Sequence, residues 1–170
     1  VNPFDCSQLP VPATPSNGGS QLGVTSTKCV NWYWETDYDV FTNKGSSANV
    51  NAYMQGIFNQ DATLYANDGI SINLQTLYIW TSNDPFTGPS TNDYLTQFGN
   101  IRTSFAGDLA HLVGFNGNGG IAWVGGLCMS SMKYHQAYSG INSTYQNVPV
   151  YSWTIEVMSH EEGHLLGSQH

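Results

Sequence analysis

Positive charge is scarce. Four lysines and arginines stand against twelve aspartates and glutamates, for a net charge of -8, and charged residues make up 9% of the 170-residue chain. A polyanionic partner such as nucleic acid is disfavoured by that balance. No apolar run approaches the ~20 residues of a membrane span, and the N-terminus Val1-Asn2-Pro3-Phe4 lacks the charged and apolar pattern of a signal sequence. The chain therefore reads as soluble and already processed. Cysteine is rare as well. Cys6, Cys29 and Cys128 form no CxxC metal pair, so disulfide use in a secreted, extracellular protein is expected over three buried free thiols. The favoured pair is Cys6 with Cys29, which leaves Cys128 wanting a partner beyond the sequence. There is no GxSxG elbow, and Cys128 has no neighbouring signature of a catalytic thiol, so a covalent nucleophile is not indicated. The Gly117, Gly119 and Gly120 turn is followed by neither Lys-Ser/Thr nor a helix, which rejects a phosphate loop.

What remains suits one domain. Residues 1–27 hold Pro3, Pro10, Pro12 and Pro15 with Asn17-Gly18-Gly19-Ser20 and no apolar period, so they read as an extended leader. Residues 28–170 read as the folded domain. The aromatic and β-branched run from Cys29 to Phe41 predicts a strand. Ser46 or Ser47 can cap a helix whose stripe of Val50, Tyr53, Met54, Ile57, Phe58, Leu64 and Tyr65 is interrupted only by Asp61. Ile70 to Trp80 predicts a second strand. A shorter helix through Tyr94, Leu95, Phe98, Ile101 and Phe105 follows, then a strand from Leu109 to Phe115 and another from Ile121 to Cys128. Residues 129–148 look irregular, with a hairpin as one option. A last helix is expected from Pro149 onward. Asn142-Ser143-Thr144 is a glycosylation sequon too short to carry weight.

The chemistry is concentrated at the end of the chain, in His160-Glu161-Glu162-Gly163-His164-Leu165-Leu166-Gly167-Ser168-Gln169-His170. Residues four apart share a helix face, so His160 and His164 can aim at one point. Glu161 lies beside that point without taking a ligand position. Gly167 can adopt the positive φ that ends a helix and return His170 to the other two histidines. Three neutral imidazoles suit zinc with a fourth position open, the arrangement of a catalytic rather than a structural site. Such a zinc acidifies a bound water, and Glu161 is the natural acceptor of its proton. Glu162 is expected to be exposed, about 100° round the helix from Glu161. Glu156, one turn before His160, could orient its imidazole, although a helix-surface role is the simpler reading. His111 and His135 read as ordinary hydrogen-bonded residues.

This pattern resembles the metzincin zinc endopeptidases, whose motif HExxHxxGxxH is matched at every fixed position. WETDYDVF, GDLAHLVGF and GIAWVGGLC are similar to strands of the reprolysin/adamalysin group. The resemblance implies an α/β fold: a mixed, mostly parallel twisted sheet with an antiparallel cleft-edge strand, two packing helices and an active-site helix. It implies that Ile121, Ala122, Trp123, Val124, Gly125, Gly126 and Leu127 bind the main chain of a peptide or protein substrate by strand addition. It further implies that Cys128 is bridged to a cysteine after the active-site helix. Asp108 falls where the family can hold calcium, with Asn31 standing in place of a second carboxylate. A Met-turn and a lower subdomain would follow His170, so the chain is either an upper-subdomain fragment or is completed by a separate C-terminal polypeptide. The rival reading is a non-catalytic zinc-binding or protein-binding module.

Overall fold

Every residue of the first strand except Asn31 is buried, so this strand has neighbours on both edges and layers on both faces. The computed structural model describes residues 29–117 and 119–170; the leader expected at 1–27 lies outside them. Strand β1 (Val30–Thr36) is followed by α1 (Tyr38–Lys44), α2 (Ser47–Asn67), β2 (Ile72–Ile79), α3 (Thr91–Ile101), β3 (Leu109–Gly114), β4 (Gly120–Ala122), β5 (Gln136–Gly140) and α4 (Trp153–Leu165). The sheet order is β2-β1-β3-β5-β4. The first four strands in that order run parallel, and β4 pairs antiparallel with β5. The fold is the expected metzincin-like α/β arrangement, with a short antiparallel strand at one edge.

Alternation along the strands sorts the core into two layers. Val30, Trp32, Trp34, Leu109, Val113 and Ala137 meet α2 and α4 through Met54, Ile57, Phe58, Ile155 and Met158. Tyr33, Ala110, Leu112 and Tyr138 meet α3 through Tyr94, Leu95 and Phe98. Of the two serines expected to cap α2, Ser46 does so. Ser46 Oγ accepts from Asn49 N at the head of α2, and Ser90 with Asp93 closes a capping box on α3.

Several elements differ from expectation, and α3, expected to run through Phe105, ends at Ile101. The first strand stops at Thr36, because Asp37 opens α1 and Gly45 closes it in the left-handed conformation at φ 79°. The strand expected over Ile121 to Cys128 ends at Ala122, as described below. The stretch read as irregular contains β5, which forms the centre of the far half of the sheet; its sequence QAYSG has few β-branched residues, and tertiary pairing overrides the weak propensity. The last helix starts at Trp153 rather than Pro149, which follows a cis peptide bond.

Asp37 sits at the carboxyl end of β1, 2% exposed, with no capping hydrogen bond from its side chain. Burial, reinforced by the charges of Asp39, Asp84 and Glu35, pushes its carboxyl from an ordinary 3.8 up to about 9. The folded state thus binds the proton more tightly than the unfolded chain, and stability is lost as pH rises through that window. Asp37→Asn is expected to raise Tm at pH 8 by about 3–6 °C, corresponding to about 1–2 kcal/mol, and to change it much less at pH 5. Thermal melts of both proteins across pH 5–9 check the sign.

Candidate metal centre

The last helix packs against β4 and β5 and delivers three histidines to one place. His160 and His164 lie one turn apart on α4, and their Nε2 atoms are 3.0 Å apart. Gly167, at φ 106°, turns the chain after the helix, and His170 returns with its ring centroid 4.6 Å from that of His164 and 5.0 Å from that of His160. One nitrogen from each ring lies within 4.8 Å of the others. Two zinc–nitrogen bonds span ~4 Å, so a single ion fits the closest pair. His164, 8% exposed, is the anchored member of the three. Its Nδ1 lies 2.8 Å from Ser168 O, an atom that can only accept, so Nδ1 carries the hydrogen and Nε2 presents its lone pair to the other rings. Burial lowers the His160 pKa, and the neighbouring His164 and His170 lower it further. That shift favours a neutral His160 imidazole, the form that binds metal.

Glu161 is 5% exposed and lies under β4. Burial raises its carboxyl above the ordinary value, partly offset by His111 and His164, which suits a group that must take and return a proton. Its position depends on Gly120. A Cβ built at Gly120 would lie 2.6 Å from Glu161 Cδ and closer still to its Cγ and Oε1. Gly120, Ile121, Ala122 and Val124 line a cleft of about 340 Å³ together with His160, Glu161, His164 and His170. A larger depression of about 620 Å³ opens on the other side of the histidines, but Glu161 does not line it. Of the two, only the β4 cleft is lined by Glu161.

The seven residues expected to form the cleft strand divide. Ile121 and Ala122 belong to β4 or its immediate end and pair with Tyr138 and Ala137. Trp123 is 40% exposed and meets Tyr134 edge-on at 4.9 Å. Val124 lines the cleft from a turn. Gly125 is left-handed at φ 70°, and its N–H donates to His164 O, which breaks the strand. Gly126 and Leu127 turn inward as a short 3₁₀ segment; a side chain at Gly126 would collide with Tyr134 O and Leu165. These last three brace the helix end and do not edge the cleft.

Glu162 is the clearest correction. It is fully buried, not exposed. Its Oε1 accepts from Trp34 Nε1 at 3.0 Å and faces His111 Nδ1 at 3.3 Å. His111 Nε2 in turn lies 2.8 Å from Ser139 Oγ. Burial pushes the His111 pKa down to about 3, so the ring is neutral; with its hydrogen on Nδ1 it donates to Glu162 and accepts from Ser139. Burial raises Glu162, and it raises Asp61 together with the Glu162 charge. The signal was available in the spacing, since Ile155, Met158, Glu162 and Leu165 form one helical stripe.

The remaining expectations resolve as follows. Asp108 Oδ2 accepts from Asn31 N at 2.8 Å and from Asn31 Nδ2 at 3.1 Å, so the carboxylate pins β1 and nothing supports a calcium site there. His135 is held between Asp108 O and Met129 O. Glu156 acts on His160 only through its charge. Cys29 is a free thiol whose Sγ faces Asn31 Oδ1, so the Cys6–Cys29 bridge is not formed. Cys128 is disulfide-bonded, to a partner outside the described residues.

Comparison with known proteins places this geometry. The family model Reprolysin_5, of metallo-peptidase family M12, matches residues 26–170. The chain belongs to metallopeptidase family M12. A solved structure of a chaperone–substrate complex shares the M12 chain's fold with a TM-score of 0.57 and 17% identity, covering 82% of this chain and 24% of that one. The M12 chain thus spans about a quarter of that protein's length, and at this identity the likeness concerns fold alone. No curated protein matches it. Membership of M12 implies zinc, and the histidine group is a donor set that fits it. Among the described residues, no helix is long and apolar enough to cross a membrane.

Proposed function

We propose that this M12 chain is a zinc-dependent endopeptidase that hydrolyses peptide bonds by direct attack of water. One observation carries the reading: a glutamate carboxyl group and three imidazoles line the same cleft beneath the open edge of β4. His160, His164 and His170 hold the metal. When bound, zinc supplies Lewis-acid polarisation of the scissile carbonyl and acidifies the attacking water. Glu161 accepts the water proton on its carboxylate and returns it to the leaving amine, so no covalent enzyme intermediate forms. The substrate is an extended peptide or protein segment added to the free edge of Gly120–Ala122, which reduces the strand-addition site to those residues. Ile121 and Val124 shape the cleft wall beside it. The proposed setting is extracellular, in keeping with the family. A lower wall supplied by further polypeptide belongs to the same proposal.

Incubating the zinc-loaded protein with an unfolded protein substrate tests the reading. Internal cleavage that a zinc chelator abolishes and added zinc restores is the expected result. Stoichiometric zinc with intact substrate would instead favour the non-catalytic module. Gly120→Ala gives a finer check. The new methyl group meets a flexible side chain, so Glu161 moves and the fold does not; kcat is expected to fall about 10-fold with Tm within ~2 °C. Steady-state kinetics and a thermal melt on the same preparation read both.

A further inference from the structure

The helix that presents the histidines has a second polar attachment on its opposite side. Glu162 Oε1 accepts from Trp34 Nε1 of β1 and faces His111 Nδ1 of β3. His111 Nε2 faces Ser139 Oγ of β5, whose hydroxyl lies 3.4 Å from Val157 O, back on α4. With the one Ser139 hydrogen donated to His111 Nε2, Val157 O is only a near neighbour, and the hydrogen-bonded path from Glu162 branches to Trp34 on β1 and, through His111 on β3, to Ser139 on β5. Glu162, His111 and Ser139 are all fully buried. An apolar side chain at 162 could fill the volume, but it would leave the Trp34 indole N–H and one His111 nitrogen unpaired in the core, which is costlier than the loss of an exposed hydrogen bond. Apolar packing resists separation of helix and sheet more than it resists rotation; hydrogen bonds at a fixed angle resist both.

Rotation is what the site is sensitive to. Side-chain atoms lie ~5–6 Å from a helix axis, so a turn of ~10° moves His160, Glu161 and His164 by ~1 Å relative to β4 and His170. A displacement of that size can cost about 10²-fold in rate.

We propose that Glu162 is a positioning residue: its hydrogen bonds to Trp34 and His111 set the rotation of α4 that brings Glu161 and the three histidines to the cleft. This rests on the zinc-peptidase reading above.

The test compares Glu162→Gln, which keeps a carbonyl acceptor, with Glu162→Leu, which keeps only bulk. Zinc affinity is measured by competition with a chromophoric chelator, the visible spectrum is recorded with cobalt(II) in place of zinc, and kcat and KM are measured on a peptide. Glu162→Leu is expected to bind zinc about 10–100-fold more weakly, to shift the cobalt bands and to lose a similar factor in kcat with KM nearly unchanged. Glu162→Gln is expected to stay within ~3-fold of the parent in each. A folded leucine variant with the parent's zinc affinity and cobalt spectrum overturns the proposal, as does a glutamine variant equally impaired. Where the leucine variant does not fold, Trp34→Phe removes the indole N–H and keeps the ring; it should weaken zinc about 3–10-fold, and an unchanged affinity overturns the proposal. Absence of turnover in the parent would count against the peptidase reading alone, since the zinc and cobalt measurements still decide the role of Glu162.

Discussion

Glu161→Gln is expected to lower kcat by about 10²–10⁴-fold while zinc affinity stays within ~3-fold of the parent, the range associated with losing a positioned general base. The argument is geometric before it is electrostatic. Glu161 lies against Gly120 in the same cleft as the histidines, and an amide of the same shape occupies the same space. It cannot accept the water proton. Nor is Glu161 one of the three grouped nitrogen donors, so the metal has no reason to leave. Kinetics on the zinc-saturated variant, with metal content measured alongside, check both halves. Activity retained within ~10-fold would place the base elsewhere.

His164→Ala has the larger expected effect on the metal. His164 is the most buried of the three histidines and the one whose second nitrogen is fixed, on Ser168 O. Its loss removes a ligand and also the tie that holds the turn carrying His170. Zinc affinity is expected to fall by more than ~10²-fold, beyond the range seen when only an outer partner is lost, and turnover to fall below detection at stoichiometric zinc. Because α4 is packed along its length by Ile155, Met158 and Leu165, the helix itself should persist. Circular dichroism and a chelator competition separate loss of metal from loss of fold. Parent-like affinity would remove His164 from the site.

Much of this was legible in the sequence because the motif encodes its own geometry. Spacing by four on a helix, followed by a glycine at the turn, is enough to gather His160, His164 and His170, and no other part of the chain has to be known. The mostly parallel sheet was expected through the resemblance of WETDYDVF, GDLAHLVGF and GIAWVGGLC to strands of the reprolysin group, and β2, β1, β3 and β5 do run parallel. What was not legible depends on partners distant in sequence. QAYSG becomes a strand only because β3 and β4 flank it. The run from Trp123 to Leu127 has strand-like residues, but Gly125 bonds to the end of α4 and the chain turns away. Glu162 beside Glu161 invites an exposed reading, and only the stripe it shares with Met158 and Leu165 argues otherwise. Asp61 interrupts the stripe of α2 as Glu162 interrupts that of α4, and burial, with the Glu162 charge, raises the Asp61 carboxyl across the packed helices. Two polar interruptions on facing helices are better read together than apart.

X-ray absorption at the zinc edge of the metal-loaded protein tests the central claim most directly. Three imidazole nitrogens and one non-protein light atom at about 2.0–2.1 Å, at one zinc per chain, are predicted for a site built from His160, His164 and His170 with one position open. A fourth protein ligand, or a sulfur at about 2.3 Å, would contradict it.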